Sequence, residues 1–306
     1  MKRHLLFLAA LLIVNLAASA QKKFSVYAVG FYNQENLFDT CHDEGKKDYE
    51  YLPNKGWNGM KYTNKLRNMS KALADMGTDV LPNVGCAFIG LSEVENHKVL
   101  DALVDQAPLK ARNMKYVHIE GPDRRGIDCA LLYNPSLFSV KNVKLLPYVQ
   151  ELAKDSAFFT RGFLTVRGEM AGDDVAVIVC HWPSRFSGPF YRESAARQVK
   201  VIKDSLLNVN QEMKIFVMGD MNDDPVNKSN LFDQIVITPN LLNKDAKKKD
   251  YSSLKYWKSH IFRRDYLIQQ EGQYKGAPLR TTAGGRWLNG YSDHLPVVMY
   301  LVKEKK

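Results

Sequence analysis

A series of short runs of β-forming residues, separated by turn-forming residues, limits this chain to a narrow set of folds. Each run is apolar and is bounded by Gly, Pro, Asn or Asp, as strands in compact proteins are. The runs cover residues 24–32, 86–91, 129–133, 162–166, 175–180, 215–218, 266–268 and 295–302. Segments at 62–76, 99–104 and 195–206 carry apolar residues at helical spacing and are predicted as amphipathic helices. Because strands outnumber helices, the pattern disfavours a Rossmann sheet or a (β/α)₈ barrel and predicts an α/β (α+β) fold of packed sheets with helices outside.

Polar side chains lie at one end of several of these predicted strands. They are Asn33, Glu93, His181, Asp220 with Asn222, and Asp293 with His294. A single histidine is more often an ordinary core residue, and a single Gly-Asp-x-Asn is more often a turn. The same pattern at strand after strand is difficult to explain as turns. Since rigid strand ends are good places to preorganise a site, we expect these side chains to converge on one sheet edge.

The residue types at these strand ends indicate a particular chemistry. Carboxylate and amide oxygens without cysteine suit a hard cation such as Mg²⁺, which pairs naturally with phosphate oxygens. A carboxylate that orients a water, together with imidazoles that stabilise negative charge, is what metal-assisted phosphoester hydrolysis requires. The set therefore favours a phosphoester hydrolase that uses Mg²⁺, with Mn²⁺ as the alternative.

Together these segments resemble the ordered motifs of the endonuclease/exonuclease/phosphatase superfamily. The matching segments are NQENLFD (33–39), LSEVEN (91–96), GIDCALLY (126–133), HWPSR (181–185), GDMND (219–223) and SDH (292–294). The resemblance extends from residue 24 to residue 302, and the motifs stand in the family's order. It implies a DNase I-like four-layer sandwich, in which two packed mixed β-sheets are flanked by α-helices and a divalent metal lies at one sheet edge.

The resemblance also implies roles at the metal and at the attacking water. Glu93 resembles the principal metal ligand, with Asn33 and Asp293 near it. Asp220 resembles the residue that orients or deprotonates the water. Asn222 resembles the partner that positions Asp220 and the phosphate.

Further roles concern the phosphate itself. His294 resembles the imidazole that holds the scissile phosphate, and Asp265 resembles the family's aspartate that pairs with it. His181 resembles the second histidine, which assists at the phosphate or leaving group. Arg161 is predicted as a phosphate contact, with a surface salt bridge as the alternative. Asp128 stands near the place where several nucleases of the family carry a tyrosine, and either a site role or a structural capping role is open to it.

Residues 1–20 read as a signal peptide. Lys2 and Arg3 precede an apolar run of about 14 residues, shorter than the ~20 needed to span a bilayer, and Ala18-Ser19-Ala20 offers a cleavage pattern. The alternatives are a signal anchor or a buried helix. We therefore expect cleavage after Ala20, a periplasmic or secreted protein without stable membrane insertion, and one domain over residues 21–306. Cys41 and Cys86 could pair after export, but their spacing does not decide it.

The charge balance favours a polyanionic partner. The chain has 43 Lys and Arg against 33 Asp and Glu, a formal net charge of +10. The leading interpretation is an exported, monomeric endonuclease or phosphodiesterase that cleaves nucleic-acid phosphodiesters by direct water attack. The alternative is a phosphatase or phosphodiesterase for inositol-phosphate or sphingomyelin-like esters.

Overall fold

The computed structural model of the chain describes residues 22–149, 159–223, 232–245 and 248–305. The predicted signal peptide, residues 1–20, lies outside these ranges and stays a prediction. Among the described residues, no helix has the length and apolar character to cross a bilayer. The four cysteines are free, with Cys41 exposed and Cys86 buried.

The described residues contain strands, α-helices and short 3₁₀ turns. The strands are β1 (Phe24–Leu37), β2 (Cys86–Val94), β3 (Lys115–His118), β4 (Asp128–Tyr133), β5 (Phe138–Leu146), β6 (Phe163–Met170), β7 (Asp173–His181), β8 (Lys214–Asp220), β9 (Asp233–Ile237), β10 (Lys255–Ile261), β11 (Thr282–Ala283), β12 (Arg286–Trp287) and β13 (Val297–Glu304). The helices are α1 (Gly59–Asp75), α2 (His97–Val104), α3 (Ala107–Ala111) and α4 (Pro189–Val209). The 3₁₀ turns are Tyr49–Tyr51, Pro53–Lys55, Arg185–Ser187, Pro239–Leu241 and Asp265–Leu267.

Two mixed sheets pack face to face. One has the order β10-β13-β1-β2-β4-β3 and the other β5-β6-β7-β8-β9, with parallel pairing at β1–β2 and at β7–β8. Buried aromatic and aliphatic side chains such as Phe88, Leu131 and Phe216 fill the space between the sheets. A Cβ on Gly90 would lie 2.7 Å from the Met218 sulfur and 3.0 Å from the Phe31 ring, so a larger residue here would require these side chains to move.

Helices cover the outer faces of both sheets. On the six-stranded sheet, α1 buries Leu66, Met69 and Leu73, and burial stabilises each such side chain by about 1.5–3 kcal/mol relative to exposure. The Asn58 side chain caps this helix by accepting from the backbone N–H of Lys61 at 3.1 Å. On the five-stranded sheet, α4 contributes Ala195 and Val199 to a third cluster. The α/β/β/α order confirms the predicted four-layer sandwich.

All but one of the predicted strand segments are strands, and the exception has a local cause. Residues 266–268 were predicted as a strand, but Tyr266 and Leu267 belong to the 3₁₀ turn Asp265–Leu267, and Ile268 forms only an isolated β-bridge with Pro278. The Leu267 N–H donates to the Arg264 carbonyl at 2.9 Å, and the Tyr266 hydroxyl donates to Asp75 at 2.7 Å. These two contacts fix a turn against α1, where apolar character alone suggested an extended run.

Candidate active site

Strand direction brings the predicted site residues to one edge of the sandwich. In parallel pairs the carboxyl ends of the strands coincide, so β1 and β2 bring Asn33 beside Glu93, while β7 and β8 place His181 opposite Asp220 in register. β9 and β13 run the other way, so their amino ends reach the same edge. Both sheets therefore contribute to one site, whereas the sequence predicted convergence on one sheet edge.

Two carboxylates and a histidine form the centre of this site. His181 Nε2 lies 3.8 Å from Glu93 Oε1 and 3.6 Å from Asp220 Oδ2. Asn33 Nδ2 lies between the same carboxylates, 3.3 Å from Glu93 Oε1 and 3.1 Å from Asp220 Oδ2. Its Oδ1 accepts from the Glu35 N–H at 2.8 Å, so Asn33 holds the two carboxylates in place. Its part as a direct metal ligand stays a prediction.

Three residues of the site have left-handed backbone geometry, which orients the hydrogen bonds to the two central carboxylates. Glu93, Asn36 and Asn222 have φ angles of 59°, 54° and 49°, values that non-glycine residues adopt at a cost. The turn at Asn36 directs its N–H at Glu93 Oε2, 3.0 Å away. The turn at Asn222 directs its N–H at Asp220 Oδ1, 2.9 Å away. The turns at Asn36 and Asn222 therefore orient the two central carboxylates, Glu93 and Asp220.

His294 pairs with Asp233, and the expected pairing with Asp265 is wrong. His294 Nδ1 lies 3.0 Å from both carboxylate oxygens of Asp233, which is the first residue of β9 and is in register with Asp220. Asp265 is exposed at the start of the 3₁₀ turn, where its backbone carbonyl accepts from Ile268. Sequence reasoning missed Asp233 because it missed β9, although the β-branched run at 235–237 was a signal for that strand.

The two histidines are in opposite electrostatic environments. Burial alone would lower the pKa of His294, but the carboxylates of Asp233, Asp220 and Asp293 together raise it to about 10. Burial lowers the pKa of His181 well below its ordinary value, and the positive charges of Arg161 and Arg125 act in the same direction. At neutral pH the site therefore holds a cationic His294 and a neutral His181.

Asp220 is the carboxylate best placed to take a proton. Burial raises its pKa to about 6, and the nearby charge of Asp233 adds to the effect. His294 Nε2 lies 3.9 Å from Asp220 Oδ2. A carboxylate with a pKa near neutrality, next to an imidazolium, can accept a proton while the neighbouring group binds an anion.

Arg161 and Asn222 meet at one backbone carbonyl. Arg161 Nη2 and Asn222 Nδ2 both donate to the Trp182 carbonyl, at 2.9 and 3.0 Å. Arg161 Nη1 also contacts Asp123 Oδ2 at 3.1 Å, and the residue is buried. The surface salt bridge considered for Arg161 is therefore wrong, because the ion pair is buried beside the site. A contact with phosphate stays a prediction.

Arg280 is a site residue that sequence reasoning missed. Its Nε lies 3.2 Å from Glu35 Oε1, and its Nη2 lies 3.1 Å from Asp293 Oδ2. Asp293 Oδ1 lies 3.8 Å from His294 Nε2. Arg280 thus connects the turn after Asn33 to the Asp293–His294 pair, while about 42% of its side chain stays exposed. The role of Asp293 as a metal ligand stays a prediction.

Asp128 has a structural role. One of its oxygens lies 3.0 Å from His118 Nε2, and the other accepts from the Gly121 N–H at 2.9 Å. Both oxygens have partners within the fold, so Asp128 caps this segment of the chain.

The donor set fits a divalent cation. Within the described residues, ligand-type atoms come within 4.8 Å of one another in two groups, Glu93–His181–Asp220 and Asp220–Asp233–His294. The first group combines carboxylate oxygens with a neutral imidazole and contains no cysteine, a combination suited to a hard or borderline metal. Glu93, with about 14% of its side chain exposed, is accessible from the mouth of the site.

The sequence matches the model of a known protein family over most of its length. A family model described as "Endonuclease/Exonuclease/phosphatase family" matches residues 28–231 and 227–303. No curated protein sequence matches the chain.

Solved structures share the fold at low sequence identity. An endonuclease/exonuclease/phosphatase family protein from Bacteroides thetaiotaomicron is 13% identical, with a TM-score of 0.55 over 93% of this chain and 100% of that one. A mannosyl-6-phosphatase from the same organism is 13% identical, with a TM-score of 0.53 over 90% and 99% of the two chains. D. rerio TDP2 complexed with single-strand DNA product is 12% identical, with a TM-score of 0.52 over 90% and 99%. At this identity the likeness shows the fold alone.

Proposed function

This chain belongs to the endonuclease/exonuclease/phosphatase family, whose members are phosphoester hydrolases, and from that premise we propose that it is a Mg²⁺-dependent endonuclease or phosphodiesterase acting on nucleic acid. The observation that carries the proposal is the convergence of Glu93, Asp220, His181 and His294 at one edge of the sandwich. Export after removal of residues 1–20, and a monomeric state, are part of the same proposal and rest on the sequence.

Each side chain has a role that follows from its position. Glu93 and its neighbours would hold a divalent cation, which would supply positive charge to a phosphate oxygen. Asp220 orients a water molecule and accepts its proton as the water attacks phosphorus and the bond from phosphorus to the leaving oxygen breaks. The leaving oxygen takes up a proton from solvent. The His294 imidazolium hydrogen-bonds a phosphate oxygen and stabilises the charge that develops there. Asp233 holds the opposite ring nitrogen, which fixes the ring and keeps it cationic.

Basic side chains around the site support a polyanionic substrate. Arg125 and Arg185 are exposed on the His181 side, and Arg280 is half-exposed on the His294 side. Arg185 also covers the ring of Phe232, with 4.5 Å between its guanidinium carbon and the ring centroid. Cations on both sides of the reacting groups suit a chain of phosphates that crosses the site, and such binding weakens as salt is added.

A phosphatase for a small phosphate ester is the second candidate. A cavity of about 440 Å³ lies beside His294 and is lined by Phe232, Arg280 and Leu295. This volume is within the roughly 300–1,000 Å³ range of pockets that hold small ligands. A soluble sugar or inositol phosphate could therefore occupy it.

The test is cleavage of supercoiled plasmid with Mg²⁺, with EDTA as the control. The proposed function requires nicking that EDTA abolishes and that falls steeply between low and moderate salt. If plasmid and single-stranded oligonucleotides stay intact while small phosphate monoesters are hydrolysed, the second candidate replaces the first.

Replacing Glu93 with glutamine should weaken metal binding. The variant keeps the size of the side chain but removes its negative charge, so the Mg²⁺ concentration for half-maximal activity should rise at least about tenfold. Titration of activity against Mg²⁺ measures this, with Glu169→Gln as the control on an exposed carboxylate paired to Lys141. An unchanged Mg²⁺ requirement in Glu93→Gln would remove Glu93 from the metal site.

Replacing Asp233 with asparagine should lower kcat by roughly 10- to 100-fold, because His294 loses the carboxylate that orients it and supports its positive charge. Asp265→Asn is the matched control and should leave kcat unchanged, since Asp265 is exposed and Asp233 is the aspartate that contacts His294. Steady-state kinetics of the two variants show whether Asp233 or Asp265 is the catalytic partner of His294. A large loss in Asp265→Asn with none in Asp233→Asn would reverse the assignment.

A further inference from the structure

A small aromatic pocket adjoins the candidate metal site. It lies between the two 3₁₀ turns that follow Asp48 and the β11–β12 hairpin, with a volume of about 220 Å³. Tyr51, Trp57 and Trp287 supply its aromatic walls. Pockets for whole small-molecule ligands begin at roughly 300 Å³. This one is therefore sized for a single ring system that belongs to a larger substrate.

The aromatic side chains are held rigidly. Trp57 is 5% exposed, and its Nε1 donates to the Phe38 carbonyl at 3.2 Å. Its ring meets Tyr51 edge-on at 5.8 Å and Trp287 edge-on at 5.7 Å between centroids. Phe38 stacks on Tyr51 with 4.1 Å between the ring centroids. Trp57 is thus a fixed back wall, and Tyr51 and Trp287 are the partly exposed rings available to a ligand.

Two residues that line the pocket are linked to the candidate site by hydrogen bonds. Asn36 lines it and donates its N–H to Glu93 Oε2 at 3.0 Å. Glu35 also lines it, and Arg280 joins Glu35 to Asp293 through contacts of 3.2 and 3.1 Å. A ring bound between Tyr51 and Trp287 is therefore close to any phosphate bound at Glu93.

Cations lie at the rim of the pocket. Lys55 is exposed, and Lys61 Nζ lies 5.7 Å from the centre of the Trp287 ring. Glu50 and Glu35 also line the pocket, so hydrogen-bond acceptors are present beside the aromatic surfaces. Aromatic faces next to basic side chains are the combination with which proteins hold single-stranded nucleic acid, since bases stack while cations contact phosphates. A base can enter such a pocket only when it is not stacked within a duplex.

We propose that the Tyr51–Trp57–Trp287 pocket is a subsite that takes one unpaired nucleobase next to the scissile phosphate, which gives the enzyme a preference for single-stranded nucleic acid. The inference rests on the proposed nuclease function. It adds that single strands are cut in preference to duplexes, and that one base next to the scissile phosphate is recognised by these three aromatic residues.

The test compares single-stranded oligonucleotides that differ in one base. One substrate is a normal oligonucleotide, and the others carry a tetrahydrofuran abasic nucleotide at each position around the main cleavage point. A stacked base contributes enough to binding that its removal at one position should lower kcat/KM by about fivefold or more. The duplex of the same sequence should also be cut more slowly than the single strand.

Protein variants connect that preference to this pocket. Trp287→Ala should reduce kcat/KM for the normal oligonucleotide to the value for the abasic one, mainly through KM, while cleavage of the abasic substrate stays as in the wild type. Trp287→Phe keeps a ring and should retain most of the preference, which separates loss of stacking from loss of fold. Trp257→Ala is the matched control, because Trp257 is 48% exposed on β10 at the outer edge of its sheet.

The outcomes separate this inference from the proposed function. Equal cleavage of normal and abasic oligonucleotides by the wild type would overturn the subsite and leave the nuclease function standing. A base preference that survives in Trp287→Ala would also overturn it, since the base would then be held elsewhere. If no oligonucleotide is cut while small phosphate esters are, both proposals fail together.

Discussion

Replacing His294 with alanine should lower kcat by roughly 10³-fold while the protein still folds. The structure gives two reasons. Of the two site histidines, only His294 has a raised pKa. The carboxylates of Asp233, Asp220 and Asp293 raise it to about 10, whereas burial lowers the pKa of His181. Its Nε2 is directed into the site because Asp233 holds Nδ1. Alanine removes the cation that would meet the phosphate and leaves nothing to take its place.

The matched control is His260→Ala. His260 also forms a histidine–carboxylate pair, with Nε2 2.9 Å from Asp79 Oδ2, but it lies on β10 and stacks on Tyr300. Steady-state kinetics and thermal melting should show full activity for His260→Ala and a native melting transition for both variants. If a folded His294→Ala keeps kcat within tenfold of the wild type, His294 does not stabilise the transition state.

Replacing Asp220 with asparagine should have an effect of similar size, a loss of roughly 10³-fold in kcat with little change in KM. Asparagine preserves the shape of the side chain and can still accept from the Asn222 N–H. It cannot take a proton from water, and it removes one of the two negative charges that face His181. The loss should therefore appear in the chemical step more than in substrate binding.

Asp223→Asn is the control for Asp220. Asp223 follows in the same motif, but its carboxylate lies 3.0 Å from Arg192 Nε and is half-exposed. Single-turnover kinetics should show a slow chemical step for Asp220→Asn and a step within a few-fold of the wild type for Asp223→Asn. Similar losses in the two variants would mean that the motif serves folding of the turn and that the water is activated elsewhere.

Much of the site could be predicted because strand ends are visible in sequence. Glu93, His181 and Asp220 each stand within two residues of the end of an apolar run, and the structure extends β2, β7 and β8 to include them. Their convergence follows from strand direction in two packed sheets, which the fold class already implies. The motif order then places Asn33 and His294 at the same edge.

Other residues of the site could not be predicted, because the local sequence pattern does not show which distant segments meet in the fold. Asp233 and Asp265 both precede hydrophobic residues, and only the position of β9 beside β8 shows which aspartate reaches His294. Arg280 contacts Glu35 across 245 positions of sequence, within a segment that has little regular structure. No periodicity marks such a residue, because its role is created by the meeting of two loops.

The pairing of β1 with β13 has a consequence for when the site can exist. The first strand of the described chain binds the last one in register, with Phe24 opposite Glu304 and Phe31 opposite Val297, and His294 stands just before that last strand. Contacts this distant in sequence form late and slowly, because a long loop must close before they give any stabilisation. Until β13 has been synthesised, β1 has no β13 to pair with and the site lacks His294. A chain that lacks β13 and the residues just before it lacks both the partner strand of β1 and His294, so we expect such a chain to be inactive.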